Sequence, residues 1–245
     1  MIDFAVVIPA RLDSKRLPRK ALELIHHKPL IQWVYERAIA SDAKEVLIAT
    51  DSEEISSVAN SFGATAVMTS QKHKSGTDRI FEVATLNNWS NDKIIVNLQG
   101  DNPLMPSENI NQIARMAEEC DIATLSAPLK DHEIDDPNIV KVSSNDATNE
   151  AIFFKRLIQD QSDSDNLKRH IGIYAYSVKT LREFSLSPQS EDEKRDKLEQ
   201  LRAYALGLKI KIETASIIPG PDVDTYEDLT SVSYTHLTLP TNREV

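Results

Sequence analysis

The sequence predicts an α/β protein built on a largely parallel sheet. Short apolar runs alternate with amphipathic helical patterns through the first half of the chain, which is the order of strands joined by helical crossovers. Residues 93–99 give the strongest strand pattern, and Gly100 and Asp101 close it. A loop rich in cations follows the first apolar run, where α/β folds commonly bind phosphate. We therefore expect the ligand site at the carboxyl ends of the strands.

The first half of the chain contains a β-α-β-α-β succession, for which parallel strands and right-handed crossovers are expected. Asp51 and Glu54 predict a capping box for the second helix, which would stop at Gly63. The predicted elements are a strand at 4–8, a helix at 29–40, a strand at 45–50, a helix ending at Gly63 and a strand at 65–68.

The remaining elements are less regular towards the carboxyl end. Alternation over residues 169–176 predicts a half-buried strand, and residues 161–166 predict an exposed polar loop. The other predicted elements are a helix opening at 74–79, a strand at 93–99, a helix from Ser107 through Cys120, strands at 122–127, 139–143 and 151–154, a charged helix at 191–208 and a last helix near Tyr226.

Length and composition are those of a globular protein. The 245 residues suffice for one large or two small domains. No apolar run reaches the roughly 18 residues of a membrane span, and a net charge of −10 argues against a general nucleic-acid binder. The single cysteine, Cys120, fits a core position and excludes disulfides within the chain. We expect a cytoplasmic enzyme that contacts neither membrane nor nucleic acid.

Motifs that the sequence lacks argue against several classes of enzyme and of metal site. The chain has only six glycines and contains no G-x-G-x-x-G or G-x-x-x-x-G-K-[ST] pattern, so a dinucleotide dehydrogenase or P-loop enzyme is disfavoured. No cysteine and histidine cluster has zinc spacing, so a metal would be a hard ion bound by oxygen. A nucleotide held without a glycine cradle needs side-chain cations.

The loop after the first strand supplies those cations. Arg11, Lys15, Arg16, Arg19 and Lys20 follow the strand within ten residues, separated by prolines. One interpretation is a solvated basic loop. The alternative is a phosphate-binding loop, favoured by its place after a buried strand and by the limited freedom of its prolines.

Two further segments allow both a structural and a functional interpretation. Ser75 or Thr77 can simply cap a helix, or Gly76 can let a ligand approach the helix N-terminus. Asp101 can be a turn aspartate ahead of Pro103, or a carboxylate at the ligand edge of the sheet.

The residues 8–20, I-P-A-R-L-D-S-K-R-L-P-R-K, resemble the signature I-P-A-R-x-x-S-x-R-L-P-x-K of enzymes that activate acid sugars with CTP. The chain resembles the 3-deoxy-manno-octulosonate cytidylyltransferase family over about residues 4–229. The resemblance implies a Rossmann-like nucleotide-diphosphosugar transferase fold, a mixed, mostly parallel sheet with helices on both faces, and a homodimer. We expect a single domain over residues 1–232, and a tail at 233–245 that is disordered or foreign to the native fold.

The resemblance also implies roles for individual residues. Arg11, Lys20 and Asp101 would be catalytic, and Asp101 and Asp224 would hold Mg²⁺. The nucleotide-binding residues would be Ala10, Arg11, Arg16, Lys20, Ser75, Gly76, Thr77 and Arg79. The sugar-binding residues would be Gln99, Arg156, His170, Tyr174, Glu199 and Gln200. Ordinary explanations stay open: a core edge for His170 and Tyr174, solvated charges around Glu199, and a helix cap for Asp224.

The implied reaction transfers CMP from CTP to 3-deoxy-D-manno-octulosonate and releases pyrophosphate, a step of lipopolysaccharide synthesis. Alternatives are the 8-amino-3,8-dideoxy sugar or a sialic-acid-type acceptor, and more remotely an inactive nucleotide-binding protein. The chain departs from the family pattern at Arg19 (usually Gly), Asn102 (usually Glu), 157–160 and 191–195. Three of these departures are expected on the acceptor side.

Overall fold

The structure is a computed structural model that describes residues 2–14, 16–158 and 166–235. Its strands are β1 (Phe4–Ala10), β2 (Leu24–Ile25), β3 (Lys28–Pro29), β4 (Glu45–Thr50), β5 (Thr65–Met68), β6 (Ile94–Asn97), β7 (Ile122–Pro128), β8 (Lys141–Ser144), β9 (Ala151–Lys155), β10 (Lys168–Ser177) and β11 (Ile210–Thr214). Its α-helices are α1 (Leu30–Ile39), α2 (Glu53–Ser61), α3 (Gly76–Leu86), α4 (Ser107–Met116), α5 (Val178–Leu186), α6 (Glu191–Asp196), α7 (Leu201–Ala205) and α8 (Tyr226–Thr235). Lys20–Leu22 and Asp131–Glu133 form short 3₁₀ turns.

Within the described residues, nine strands form one sheet. The central order is β11-β7-β10-β6-β1-β4-β5, and β8 and β9 extend it beside β10. The strands β6, β1, β4 and β5 pair in parallel, as the β-α-β succession predicts. β10 runs antiparallel to both of its central neighbours, β6 and β7. The predicted mixed, mostly parallel sheet is confirmed.

Alternate side chains of β1 explain why helices cover both faces. Val6 and Ile8 join one core with α1, α2 and α4. Val7, which points to the opposite face, joins a second core with α3, α5 and α7. A central strand buried on both sides has no polar face, which accounts for the continuous apolar run in the sequence.

The carboxyl ends of β1 and β6 bring three loops together around Pro9. Val7 pairs with Asn97, so both strands end at the same edge of the sheet. A Cβ atom at Gly100 would lie 3.0 Å from the Pro9 carbonyl oxygen, and one at Gly76 would lie 3.1 Å from Pro9 Cγ. Glycine at these two positions therefore allows the loops after β5 and β6 to approach the first loop closely.

The predicted capping box of the second helix is wrong. Ser52, not Asp51, is the N-cap of α2, and its hydroxyl accepts a hydrogen bond from the Ile55 amide. Asp51 instead pairs with Arg79 at 2.7 Å. The helix begins one residue later than predicted because the Asp51 side chain is engaged across the fold.

The predicted charged helix at 191–208 is also wrong, because the chain breaks it in two. α6 ends at Asp196, its C-cap Lys197 adopts a left-handed conformation with φ of 54°, and α7 begins after a turn over residues 198–200. Arg202 points inwards to the buried Glu193, and this pair holds the two short helices together. Periodicity of charges alone could not reveal this turn.

Three sequence predictions concern segments that the structure describes only in part or not at all. α8 runs through the predicted boundary at 233 and ends at Thr235, while residues 236–245 lie outside the described residues. Lys15 and most of the predicted polar loop at 161–166 also lie outside them. Among the helices that are described, none has the length and apolar composition needed to cross a bilayer.

Candidate active site

A cavity of about 440 Å³ opens at the carboxyl ends of β1 and β6. Its walls come from the loops after these strands, from the start of α3 and from the segment before α8. The residues predicted to bind nucleotide or metal that line it are Ala10, Arg11, Arg16, Lys20, Ser75, Gly76, Arg79, Asp101 and Asp224. Residues far apart in the sequence thus form one site, as the convergence of strand ends predicts.

The cationic loop is anchored by its apolar residue. Leu17 is fully buried in a small core with Ile25, Leu30 and Val223, while Arg11 and Arg16 are exposed. The Lys20–Leu22 turn begins at Arg19, which has φ of 58°. The buried leucine and this turn fix the backbone, so the charged side chains extend from a defined position.

Lys20 bonds to both of the predicted metal carboxylates. Its Nζ donates to Asp101 Oδ2 at 2.8 Å and to Asp224 Oδ1 at 2.9 Å. The Val223 amide donates to the Asp101 carbonyl at 2.9 Å, which ties the two acidic segments together through the backbone. Two carboxylates from distant parts of the chain therefore converge on one cation.

The charge balance of this cluster keeps Lys20 protonated. Burial opposes the charged form, but the neighbouring charges and hydrogen bonds of Asp101 and Asp224 prevail and raise the pKa of Lys20. Arg16 adds a second cation at Asp224, with an N–O distance of 2.8 Å. The ammonium is a fixed positive charge at neutral pH.

The donor set at this cluster fits a hard divalent ion. Asp101 and Asp224 present oxygens that already bind a cation from two sides, and carboxylate oxygen is the ligand type Mg²⁺ prefers. In the described residues, no three acidic, histidine or cysteine side chains form a complete metal cage. An ion bound here would draw its other ligands from water or substrate, as is usual for Mg²⁺ with nucleotides.

Asp222, which no sequence motif singled out, lies beside this cluster. The Asn102 amide donates to its carboxylate and, at 3.4 Å, to Asp101 Oδ1. The acidic spacing in Pro221–Asp224 was the available sign, but a D-x-D pattern in a loop is too common to decide. Asn102 is buried in this contact and does not line the cavity.

The start of α3 connects two parts of the site. Ser75 is the N-cap and accepts a hydrogen bond from the Asp78 amide, which confirms its structural interpretation. The Thr77 hydroxyl donates to Glu199 Oε2 at 2.9 Å. Arg79 is buried and bonds to Asp51 and Thr69, so its guanidinium reaches the cavity already paired.

A second hollow of about 20 Å³ lies behind Thr77 and is bordered by Tyr174, Tyr176, Glu199 and Gln200. Glu199 Oε1 and Tyr176 Oη are buried and have no hydrogen-bond partner in the described part of the chain. Burial raises the pKa of Glu199 against the hydrogen bonds from Ser75 and Thr77. A buried oxygen without a hydrogen bond is costly, and Glu199 Oε1 has only Arg202 at 3.9 Å as a charged neighbour, so a polar group in this hollow would satisfy it.

His170 lies next to this hollow as a neutral imidazole. Burial lowers its pKa to about 3. The Thr124 hydroxyl lies 2.8 Å from the Ile173 carbonyl and donates to it, so at 2.9 Å it accepts from His170 Nε2. This bond leaves Nδ1 as the acceptor nitrogen, and the ring packs against that of Tyr174 at 5.5 Å.

Two predicted sugar-binding residues lie elsewhere. Gln99 lines the larger cavity and donates to Asn97 Oδ1 at 2.9 Å. Arg156 lines neither cavity; it donates to the carbonyls of Pro137 and Asp196. Lys141, fully buried, also bonds the Arg156 carbonyl at 2.7 Å. The structure thus gathers most of the predicted residues around two hollows, with His170 beside the smaller one through Tyr174 and Arg156 outside both.

Comparison with known proteins identifies the family. The sequence model described as cytidylyltransferase matches residues 5–210. The chain belongs to the cytidylyltransferase family. It is 46% identical to the 3-deoxy-manno-octulosonate cytidylyltransferase of Saccharophagus degradans, with 94% of this chain and 97% of the relative covered. The Thioalkalivibrio sulfidiphilus protein of the same name is 43% identical, with 94% and 98% covered.

A solved structure gives the same result for this cytidylyltransferase. A CMP:2-keto-3-deoxy-manno-octonic acid synthetase complexed with CTP superposes with a TM-score of 0.85 at 36% identity. The match covers 94% of this chain and 97% of that one. The resemblance to this family and the predicted fold are therefore confirmed.

Proposed function

We propose that the protein transfers CMP from CTP to 3-deoxy-D-manno-octulosonate and releases pyrophosphate, a step of lipopolysaccharide synthesis. The single observation that carries the proposal is the convergence of Lys20 with Asp101 and Asp224 in a cation-lined cavity. Relatives that match over nearly their whole length carry the corresponding name.

The larger cavity is the proposed nucleotide site. Arg11, Arg16 and Lys20 would neutralise the triphosphate, which has the opposite charge to this part of the wall. Ser75, Gly76 and Thr77 open α3, whose N-terminus favours negative charge. Ala10 would face the nucleotide from the end of β1, and Arg79 would support the wall from its buried pair with Asp51. In such transfers, positioning and charge neutralisation account for most of the catalysis.

The residues around the smaller hollow are proposed to bind the acceptor sugar. The hollow itself, at about 20 Å³, has room for about one water and would have to widen. Glu199, Gln200, Tyr174 and His170 would bind the sugar hydroxyls, and the unpaired oxygen of Glu199 supports this assignment. Gln99, on the wall of the larger cavity, would contact the part of the sugar nearest the phosphates. Arg156 is proposed to act indirectly, since its contacts are with backbone carbonyls of two neighbouring segments.

Asp101 and Asp224 are the proposed ligands of Mg²⁺. When bound, the ion supplies charge neutralisation at the phosphates and orients the reacting oxygens. Arg11 and Lys20 would hold the phosphates while the anomeric hydroxyl of the sugar attacks the α-phosphorus. The hydroxyl would give up its proton to water as its oxygen bonds the α-phosphorus, and the bond from that phosphorus to the bridging oxygen would break in line to release pyrophosphate. A homodimer and a cytoplasmic location are further proposals that rest on the family resemblance.

Pyrophosphate release from CTP tests the function directly. The plain octulosonate, its 8-amino analogue and a sialic acid are compared by kcat/KM under the same conditions. We expect the plain octulosonate to be the best acceptor. Preference for the 8-amino sugar would replace the plain octulosonate as the assigned acceptor. Preference for sialic acid would contradict the proposal. No turnover with any of the three sugars would indicate an inactive nucleotide-binding protein.

A further inference from the structure

Lys20 stands on the wall of the proposed nucleotide cavity, yet its ammonium group is turned to two carboxylates. It donates one proton to Asp101 and one to Asp224. Its backbone is fixed by the 3₁₀ turn at Lys20–Leu22 and by its amide bond to the Leu17 carbonyl at 3.2 Å. Any change of partner therefore requires rotation of the side chain alone.

The ammonium has the position and charge of a bound cation. Its distances of 2.8 and 2.9 Å to one oxygen of each carboxylate place it directly between them. A divalent ion binding the same two oxygens would meet an adjacent unit charge of the same sign. At such a short separation the two like charges repel at any effective dielectric, so the ammonium opposes metal binding to these oxygens.

We propose that Lys20 is an internal counter-ion that occupies the divalent-cation position until a nucleotide arrives. This inference rests on the proposed function, because the partner that draws Lys20 away is a nucleoside triphosphate in the adjoining cavity. Phosphate oxygens there give the ammonium a replacement for the carboxylates. The chain alone then binds divalent ions weakly, and triphosphate and metal increase each other's affinity.

The test measures Mn²⁺ binding to the full chain without nucleotide, by the electron paramagnetic resonance of free Mn²⁺. Lys20→Met retains the apolar stem and removes the charge. We expect it to tighten Mn²⁺ binding at least about tenfold relative to wild type, since 1.4 kcal/mol corresponds to a factor of ten. Adding Asp101→Asn to this variant should abolish the gain.

Arg16→Gln is the matched control. It also removes one cation bonded to Asp224, but leaves the bridge between the two carboxylates intact. We expect it to change Mn²⁺ affinity less than about threefold, because Arg16 is largely exposed and screened. An equal gain in Arg16→Gln and Lys20→Met would overturn the proposal, because the effect would then be general electrostatics.

Circular dichroism and pyrophosphate release separate a folding defect, and a failure of the proposed function, from a failure of this inference. Lys20→Gln, which can hydrogen-bond to both carboxylates, replaces Lys20→Met if circular dichroism shows that the methionine variant is unfolded. Unchanged or weaker Mn²⁺ binding in the folded variant contradicts the inference even if the enzyme turns over CTP. Conversely, tighter Mn²⁺ binding together with no pyrophosphate release from any acid sugar would retain the counter-ion and reject the proposed function.

Discussion

Glu193 and Arg202 form a buried, bidentate ion pair. Arg202 Nε donates to Glu193 Oε2 at 2.8 Å and its terminal nitrogen donates to Oε1 at 2.6 Å. Only 4% of the glutamate side chain and 3% of the arginine side chain are exposed. The residues between them form the turn that carries Glu199, so this pair fixes one wall of the proposed acceptor site.

Glu193→Gln should therefore weaken the acceptor site more than the nucleotide site. It removes the nearest carboxylate from buried Arg202 and leaves only the more distant pairs with Asp78 and Glu199 at 3.9 Å, so we expect a loss of about 3 kcal/mol of unfolding free energy. We expect a higher KM for the sugar with a nearly unchanged KM for CTP, because Arg202 stands near Glu199 and away from the cationic loop.

Asp192→Asn provides the control for that prediction. Asp192 precedes Glu193 in α6 and pairs with Arg195 in an exposed contact. This contact should contribute less than about 1 kcal/mol to the free energy of unfolding. Urea unfolding and initial rates at varied sugar and varied CTP give both quantities. Equal rises of the two KM values in Glu193→Gln would indicate a general loss of structure instead of a specific effect.

His170 should make the protein less stable in acid. Burial lowers its pKa in the folded state to about 3, whereas the unfolded imidazole titrates near 6.5. Between these pH values the unfolded chain binds one more proton than the folded protein. The contribution of His170 to the free energy of unfolding therefore falls as the pH decreases from about 6.5 towards 3. His170→Gln should reduce the slope of unfolding free energy against pH over that range, measured by urea titration. Parallel curves for the two proteins would refute the buried neutral imidazole.

Arg19 should be replaceable by glycine without loss of stability. It occupies a left-handed conformation, with φ of 58°, and its exposed side chain pairs with Glu54. Arg19→Gly loses the weak surface pair but relieves the strained backbone, so we expect a change within about 1 kcal/mol. Arg19→Ala loses the same pair and retains the strain, and should be about 1 kcal/mol less stable than Arg19→Gly. Thermal and urea unfolding of the two variants would show no difference if backbone strain were irrelevant.

Gly76→Ala should disturb the contact between α3 and the first loop. The new Cβ would lie 3.1 Å from Pro9 Cγ, closer than ordinary van der Waals contact. We expect a loss of about 1 kcal/mol in unfolding free energy and weaker CTP binding by calorimetry. Gly172→Ala is the control, since its Cβ would meet nothing within 4 Å. CTP affinity and stability equal to those of wild type in Gly76→Ala would show that Pro9 yields without cost.

Strands were predictable from sequence because burial on both faces makes them continuous apolar runs. The bounds of β4 and β5 agree with the predicted strands at 45–50 and 65–68. The N-cap of α2 was not predictable in this way, because Asp51 and Ser52 are both good capping residues. The choice depends on Arg79, which comes from a distant element and bonds Asp51.

In the candidate site, too, features set by nearby residues were predictable and features set by distant residues were not. Motifs selected Lys20, Asp101 and Asp224, and the structure brings their charged groups into contact. Nothing local indicated that Asn102 would turn to Asp222, or that Thr77 would bond Glu199. Those contacts join segments more than a hundred positions apart, so only the folded topology creates them.

The reversed strand β10 places the beginning of one strand at the edge where the parallel strands end. Tyr174 pairs with Asn97 near the end of β6, so the first residues of β10 extend past the edge where the parallel strands stop. His170 reaches that edge from the beginning of a strand, whereas Asp101 reaches it from the end of one. Substitutions early in β10 would therefore act on the proposed acceptor side without altering the loops that follow β1 and β6.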